Sequence, residues 1–278
     1  MRKIDSHLHL WDLAAGGYDW LTPEAGRLYD TFSAADAAQS LAASRVDGAV
    51  LVQADDTALD TQSMLDVADQ NHWVLGVVGW VELDHPGTTE TQLDRWTQNG
   101  AFVGVRHLTH VDPRSDFLDR PGVRRSLSLI GARSLTFDVP DAWPGQLAQL
   151  VAVGRDLPDL NIVIDHLGKP PREPDAFYRW RALIGEASRN PRVFAKVSGL
   201  RGAASAYSAK SLTPVWDTAL ELFTPARLMW GSDWPITTGE EGYGATVRVL
   251  SDLIEQLAPA ERAQLYGATA ETFYSLRP

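Results

Sequence analysis

Histidine and aspartate side chains recur in this sequence at the ends of short apolar segments, where they could carry out acid–base or metal chemistry. His7 and His9 are separated by a single residue, Leu8. His166 follows Asp165, and Asp233 lies in a Ser-Asp-Trp-Pro segment. In an extended chain, residues two apart point to the same side, so both N-terminal imidazoles would face one way. Because a buried polar group costs free energy unless it is paired, several of them at strand ends indicate a shared site.

The elements that would position these residues are short β-branched segments separated by helical patterns. Such segments recur about every 30 residues, which is the size of one strand–helix unit. Several of them are apolar on both faces, as is typical of parallel strands that are covered on each side. The predicted strands are Lys3–Leu10, Ala49–Gln53, Leu75–Val81, Phe102–His107, Ser134–Val139, Asn161–Leu167, Val193–Ser198 and Leu228–Asp233.

Most segments between these strands have apolar residues at helical spacing and are predicted to be helices. Two segments remain irregular, Asp12–Thr31 after the first strand and Arg201–Leu212 after the seventh. The pattern predicts an α/β fold, a (β/α)₈ TIM barrel in a single domain over residues 1–278, in which both irregular segments lie at the face where active sites are built. The predicted helices are Ala34–Arg45, Thr61–Asn71, Gln146–Asp156, Phe177–Arg189, Pro214–Phe223, Gly244–Leu257 and a final short helix at Pro259–Tyr266.

Length, composition and charge restrict the function classes further. A chain of 278 residues suits one barrel of about 250 residues. It has no cysteine, which excludes disulfides, thiolate zinc sites and cysteine nucleophiles and fits a reducing cytoplasm. The net charge of −11 disfavours nucleic acid and anionic membranes as partners. No signal peptide or membrane segment is predicted, and we expect a cytoplasmic protein whose oligomeric state these patterns do not determine.

Longer motifs around the polar residues resemble the amidohydrolase superfamily. More narrowly, they resemble its lactonase branch, which includes L-fuconolactonase, L-rhamnonolactonase and 2-pyrone-4,6-dicarboxylate lactonase. The resemblance extends from residue 4 to the end of the chain, and it implies a distorted TIM barrel. The motifs that carry it are Ile4–Asp12, Tyr18–Leu21, Val105–His107, Asp165–Pro170, Lys196–Leu200 and Gly231–Pro235.

The resemblance also implies roles for the four polar residues at the strand ends. Asp233 matches the family's base, which activates water, and His7, His9 and His166 match the histidines around the scissile carbonyl. Many relatives bind one or two divalent ions, in part through a histidine on the fifth strand. Because the fifth strand here has no histidine, we expect either no required cofactor or a single divalent metal such as zinc, held by His7, His9 and Asp233.

The predicted function is therefore that of a hydrolase that opens a small-molecule sugar lactone, an aldono-1,4- or 1,5-lactone, in carbohydrate metabolism. Abundant tryptophan and few cations near strand ends favour a neutral sugar over a dicarboxylate lactone. Two alternatives stay open: a zinc-dependent decarboxylase or hydrolase of another small carboxylate or lactone on the same barrel, and a sugar-binding barrel without catalysis. The predicted substrate-binding residues are Trp20, Gln53, Trp80, Arg106, His107, Lys169 and Trp234.

Overall fold

A computed structural model describes residues 2–201 and 207–276 and contains one sheet of eight parallel strands in chain order. The sheet closes on itself beyond β8, where the backbone N–H of His9 donates to the carbonyl of Trp234 at 2.8 Å and that of Asp233 donates to the carbonyl of His7 at 2.8 Å. The predicted (β/α)₈ barrel is confirmed. The strands are β1 (Ile4–Leu8), β2 (Gly48–Val52), β3 (Val74–Gly79), β4 (Phe102–Arg106), β5 (Thr136–Val139), β6 (Asn161–Ile164), β7 (Val193–Val197) and β8 (Leu228–Trp230).

Helices surround the sheet, and each predicted helical segment overlaps one of them. The structure adds three helices that sequence reasoning did not name: Pro86–Trp96 and Pro121–Ala132, which each begin with a proline, and the short Thr269–Phe273. Proline breaks a helix interior but suits its first position, where the missing N–H has no partner to lose. The helices are α1 (Ala34–Ala43), α2 (Ala58–Gln70), α3 (Pro86–Trp96), α4 (Pro121–Ala132), α5 (Leu147–Asp156), α6 (Pro174–Ser188), α7 (Ala209–Phe223), α8 (Gly242–Ile254), α9 (Pro259–Ala263) and α10 (Thr269–Phe273).

Seven of the eight strands end one to three residues earlier than the sequence predicts, and at three of them the difference positions the polar side chains. β1 ends at Leu8, β6 at Ile164 and β8 at Trp230. Beyond these ends, His166 has a φ of 55° and Asp233 a φ of 57°, in the left-handed region. Such backbone is uncommon outside glycine and tends to occur at functional sites. The turns therefore re-aim two of the predicted site residues.

The structure describes the first irregular segment completely and the second one only in part. Asp12–Thr31 is indeed irregular, with short 3₁₀ helices at Leu13–Ala15 and Pro23–Leu28. It is held in place by the Arg27 guanidinium, which donates to the backbone carbonyl of Pro235 at 2.8 Å. Of the second segment, residues 202–206 lie outside the described residues, and α7 already begins at Ala209. No helix in the described ranges is long and apolar enough to cross a bilayer.

The interior of the barrel has an apolar layer and a polar layer. Valines of β2, β3 and β6 form the apolar layer with Met229 of β8, and the C-terminal residues Phe273 and Tyr274 pack against it. The polar layer contains Asp138 of β5 and Lys196 of β7, both fully buried. This layer lies directly behind the four residues predicted to do chemistry, with the Lys196 ammonium 3.1 Å from Nδ1 of His7.

Candidate active site

The four residues predicted at strand ends meet in space. The Nε2 atoms of His7 and His9 are 3.1 Å apart, and Nε2 of His9 lies 3.2 Å from Oδ1 of Asp233. The same oxygen lies 3.7 Å from Nε2 of His7 and 3.7 Å from Nε2 of His166. All four side chains are buried. The residue cluster expected from the sequence is thus present at one end of the barrel, and the role of each residue stays a prediction.

Gly199, just after β7, makes room for this cluster. Its φ is +57°, and a Cβ at this position would lie 2.8 Å from Oδ2 of Asp233 and closer still to Nδ1 of His166. The preceding residue, Ser198, places its hydroxyl 2.9 Å from Nδ1 of His166. The Ser-Gly pair of the Lys-Val-Ser-Gly-Leu motif therefore positions one imidazole and leaves space beside the carboxylate.

The surroundings of the four residues set their charges. Burial lowers the pKa of His7 well below its usual range, and it also lowers the pKa of His9 and of His166. For Asp233, burial by itself raises the pKa, but the neighbouring His166 ring and the contact with His9 outweigh burial and hold the pKa well below its usual range. The cluster therefore combines an ionised carboxylate with imidazoles whose protonated form is disfavoured by burial.

A buried ion network lies behind His7. The Lys196 ammonium is 2.7 Å from Oδ2 of Asp138, 3.0 Å from Oδ1 of Asp165 and 3.1 Å from Nδ1 of His7. The Tyr274 hydroxyl donates to Oδ2 of Asp138 at 2.7 Å. Burial raises the pKa of Asp138 to about 6, against the attraction of Lys196. For Asp165, burial is outweighed by Lys196 and His7, which hold its pKa well below its usual range.

Sequence reasoning did not assign Lys196, Asp138 or Tyr274 to the site. A signal was available for the first two, because a lysine and an aspartate inside otherwise apolar buried strands need partners. Tyr274 follows the last helix, and nothing in its sequence surroundings points to the interior of the barrel.

Arg106, at the end of β4, links the network to the cluster. Its guanidinium donates to the backbone carbonyl of Gln53 at 2.6 Å and to Oδ2 of Asp165 at 3.2 Å. It also lies 3.3 Å from Nε2 of His7. Since the side chain is almost fully buried, these contacts fix the guanidinium within the rim of the barrel.

A cavity of about 320 Å³ opens beside the cluster, within the range of small-molecule sites. Three of the predicted substrate-binding residues, Trp20, Arg106 and Lys169, line it together with His9, His166 and Asp233. Two further polar residues in its wall, His110 and Asp141, were not predicted, although both follow strand ends. The rest of the wall is apolar: Ala54, Leu108, Val111, Pro140 and Ile236.

The other predicted substrate-binding residues surround the cavity without lining it in the described structure. The amide of Gln53 donates to Asp56 at 2.7 Å, and the indole of Trp80 donates to His107 at 3.2 Å. His107 stacks on Phe117 at 4.3 Å between ring centroids. Trp234 is buried, with its ring 5.3 Å from that of Phe32. These contacts support the walls of the site, and the assignment of all four residues to substrate binding stays a prediction.

The cluster fits a single divalent metal ion. Nδ1 of His9 lies 2.7 Å from the carbonyl of Val52, which can only accept, so Nδ1 carries the proton and the Nε2 lone pair faces His7 and Asp233. The ligand atoms of His7, His9 and Asp233 all lie within 4.8 Å of one another. Two imidazoles and a carboxylate, one imidazole oriented by a backbone carbonyl, are a donor set that zinc accepts.

Known proteins resemble this chain over its whole length. The model of the amidohydrolase family matches residues 4–276. The chain belongs to the amidohydrolase family. An L-fucono-1,5-lactonase of Burkholderia ambifaria is 32% identical, with 99% of this chain and 96% of that protein aligned. An L-fucono-1,5-lactonase of Burkholderia multivorans is 30% identical over the same shares of the two chains.

A solved structure agrees with this family assignment. An amidohydrolase from Burkholderia multivorans, crystallised with bound zinc, has a TM-score of 0.88 and 28% identity, and each chain covers 100% of the other. A second crystal form of an amidohydrolase from the same organism, with bound HEPES, has a TM-score of 0.90 and 29% identity. Fold and family are therefore the same, and the reaction follows as a proposal.

Proposed function

We propose that this protein hydrolyses a neutral sugar lactone, an aldono-1,5- or 1,4-lactone, to the open-chain hydroxy acid. The observation that carries the proposal is Oδ2 of Asp233, a buried carboxylate oxygen with no hydrogen-bond partner among residues 2–201 and 207–276. Asp233 lines the cavity beside His9 and His166, where a carbonyl group could lie. The two L-fucono-1,5-lactonases that align with nearly the whole chain support a lactone as the substrate.

In this proposal Asp233 acts first as a base and then as an acid. Its ionised carboxylate takes a proton from water, and the water oxygen forms a bond to the lactone carbonyl carbon. The tetrahedral intermediate then breaks its bond to the ring oxygen, and Asp233 returns the proton to that oxygen. One group can serve both steps because the proton that it gains is the proton that the leaving oxygen needs. The product is a hydroxy acid.

The charge that develops on the carbonyl oxygen needs donors, and the cavity wall offers them. His166 and the Arg106 guanidinium line the same cavity as Asp233. A well-placed donor of this kind contributes roughly 3–4 kcal/mol to the transition state. His9 lines the cavity beside Asp233, with its Nε2 3.2 Å from Oδ1, and His7 lies behind them; both histidines orient the carboxylate. A divalent ion held by His7, His9 and Asp233 would, when bound, polarise the carbonyl as a Lewis acid.

The cavity wall favours a sugar with an apolar edge. Leu108, Val111 and Ile236 form part of the wall. Trp20, whose indole donates to the carbonyl of Ala54 at 2.9 Å, offers a ring face to a sugar ring. A deoxy-sugar lactone presents a methyl group to such a wall, while its remaining hydroxyls need a few polar partners.

A panel of sugar lactones tests the proposal. Acid release is followed with a pH indicator on 1,4- and 1,5-lactones of deoxy-sugars, pentoses and hexoses, with spontaneous opening subtracted. We expect enzyme-dependent acid release, fastest for a deoxy-sugar or pentose lactone. No acid release from any lactone would reject the proposal. Carbon dioxide release from a carboxylated aromatic would point to the decarboxylase alternative, and binding without turnover would point to a sugar-binding barrel.

A further inference from the structure

Two neighbouring loops bring a carboxylate and an ammonium group into the wall of the cavity. Asp141 follows β5, Lys169 follows β6, and both side chains line the cavity that Asp233 also lines. The backbone N–H of Trp143 donates to the carbonyl of Gly168 at 2.9 Å, which holds the two loops side by side. This charged pair therefore belongs to the same space in which a lactone carbonyl would meet the cluster.

The Asp141 carboxylate has an oxygen atom that lacks a hydrogen-bond donor. Its Oδ1 is buried and has no hydrogen-bond partner within residues 2–201 and 207–276. The Lys169 ammonium lies 3.7 Å from this oxygen, which allows a charge interaction but is too long for a hydrogen bond. Asp141 also has a φ of 42° and Lys169 a φ of 58°, a left-handed backbone that tends to occur at functional sites. Because an unpaired buried oxygen costs free energy, a ligand that donates a proton to it would be favoured.

The Lys169 ammonium supplies the complementary donor. It donates to the backbone carbonyl of Gly199 at 3.3 Å, and since an ammonium group has three protons, donors remain for a ligand. A hydroxyl group can both donate and accept. Two adjacent hydroxyl groups of a sugar ring could therefore pair with Asp141 and Lys169 together, one donating to the carboxylate and the other accepting from the ammonium.

The charges in the cavity favour hydroxyl groups over a substrate carboxylate. Among the described residues that line the cavity, each lysine or arginine already faces a carboxylate. The Arg106 guanidinium donates to Oδ2 of Asp165 at 3.2 Å, and Lys169 faces Asp141. A substrate carboxylate would therefore meet a cation whose charge is already balanced, whereas a neutral hydroxyl group adds no charge to the cavity.

We propose that Asp141 and Lys169 are specificity-determining residues that bind two adjacent hydroxyl groups of the lactone ring, Asp141 as the acceptor and Lys169 as the donor. The inference rests on the proposed function and names the part of the substrate that this site recognises. A lactone without ring hydroxyls would leave the Asp141 oxygen unpaired, and the loss of such a partner discriminates strongly between substrates.

Two matched lactones and one substitution test this role. δ-Hexanolactone has the six-membered ring and the methyl group of a 6-deoxy-hexono-1,5-lactone but no ring hydroxyls. The wild type should prefer the sugar lactone by at least about 100-fold in kcat/KM, because δ-hexanolactone leaves the site unpaired. Asp141→Asn keeps the size of the side chain and tolerates a left-handed φ. It should lower kcat/KM for the sugar lactone by about 10–100-fold, chiefly through KM, since hydrogen bonds to a charged group are the stronger ones. The kcat/KM for δ-hexanolactone should stay unchanged.

A second variant and a control separate recognition of hydroxyls from disruption of the site. Lys169→Met should also lower kcat/KM for the sugar lactone and leave that for δ-hexanolactone unchanged. Asp217→Asn, on an exposed part of α7, should keep both rates. Equal losses on both lactones in Asp141→Asn would assign the residue a structural role and overturn the inference. A wild type that opens δ-hexanolactone as fast as the sugar lactone would overturn it too, and this comparison decides even if neither variant folds. A wild type that opens no lactone would instead reject the proposed function, and the inference with it.

Discussion

Asp60, at the start of α2, joins the long loop after β1 to the barrel. Its carboxylate accepts hydrogen bonds from the Tyr18 hydroxyl at 2.7 Å and from the backbone N–H of Ala54 at 2.9 Å. Burial raises its pKa to about 6, although both hydrogen bonds act in the opposite direction. The loop that carries Trp20, which lines the cavity, is therefore hydrogen-bonded through Tyr18 to a carboxyl group whose pKa is raised.

The raised pKa of Asp60 predicts that the stability of the fold depends on pH. Since the pKa of Asp60 rises from 3.8 to about 6 on folding, its protonated form favours the folded state. That contribution is complete below pH 3.8 and is lost as the pH rises through about 6. Two pKa units correspond to about 3 kcal/mol. Between pH 4 and pH 7, the free energy of unfolding of the wild type, measured with urea, should fall by up to this amount relative to that of Asp60→Asn.

The control for this measurement is the same change at an exposed position. Asp217 of α7 is exposed, so Asp217→Asn should keep the wild-type pH profile. If Asp60→Asn and the wild type had parallel profiles, the carboxyl group would not be the source of the pH dependence.

At the scale of residues, sequence patterns located the centre of the site better than its surroundings. His7, His9, His166 and Asp233 could be found because histidine and aspartate at the ends of apolar strands are conspicuous. Lys196 and Asp138 were missed because their partners come from strands that are distant in the chain, and pairing across a barrel leaves no local pattern. His107 was predicted to bind substrate because it follows a strand; its ring stacks on Phe117 and does not line the cavity in the described structure, and its role stays a prediction.

At the scale of elements, the turn after β7 decides whether the site can form. Gly199 combines a left-handed φ with the close approach of Asp233 and His166. Gly199→Ala should lower kcat/KM for the best lactone by at least about 100-fold, since a displacement of about 1 Å at reacting groups has effects of that size. Steady-state rates, with circular dichroism to verify folding, provide the measurement.

Gly87→Ala, in the first turn of α3, provides the matched comparison. A Cβ there meets nothing within 4 Å, and Gly87 lacks the left-handed φ of Gly199. This protein should retain wild-type rates. Equal activity of Gly199→Ala and the wild type would show that the turn after β7 does not determine the geometry of the site.

Element boundaries followed from the sequence only in part. Strand and helix positions were predicted from periodicity, which reflects burial. The ends of β6 and β8 were not, because left-handed backbone at His166 and Asp233 depends on the packing around the barrel mouth. The helices α3, α4 and α10 were not predicted; α3, for example, buries only Thr89, Leu93 and Trp96, so few apolar residues at helical spacing mark it in the sequence.

At the scale of the whole molecule, closure of the sheet brings distant residues together. His7 and Asp233 are separated by most of the chain, yet the backbone N–H of Asp233 donates to the carbonyl of His7 at 2.8 Å. Regular recurrence of strands was enough to predict the barrel, and barrels place strand ends at one face. The size and lining of the cavity could not be predicted, because side chains from many loops determine them.

The activity of Asp233→Asn on the best lactone of the panel measures whether Asp233 is the base. Asparagine keeps the size of the side chain and removes the base, so kcat/KM should fall by about 10²–10⁴-fold while circular dichroism stays unchanged. Asp217→Asn, the same substitution on an exposed part of α7, should keep the wild-type rate. A folded Asp233→Asn protein that opens the lactone at the wild-type rate would contradict the account.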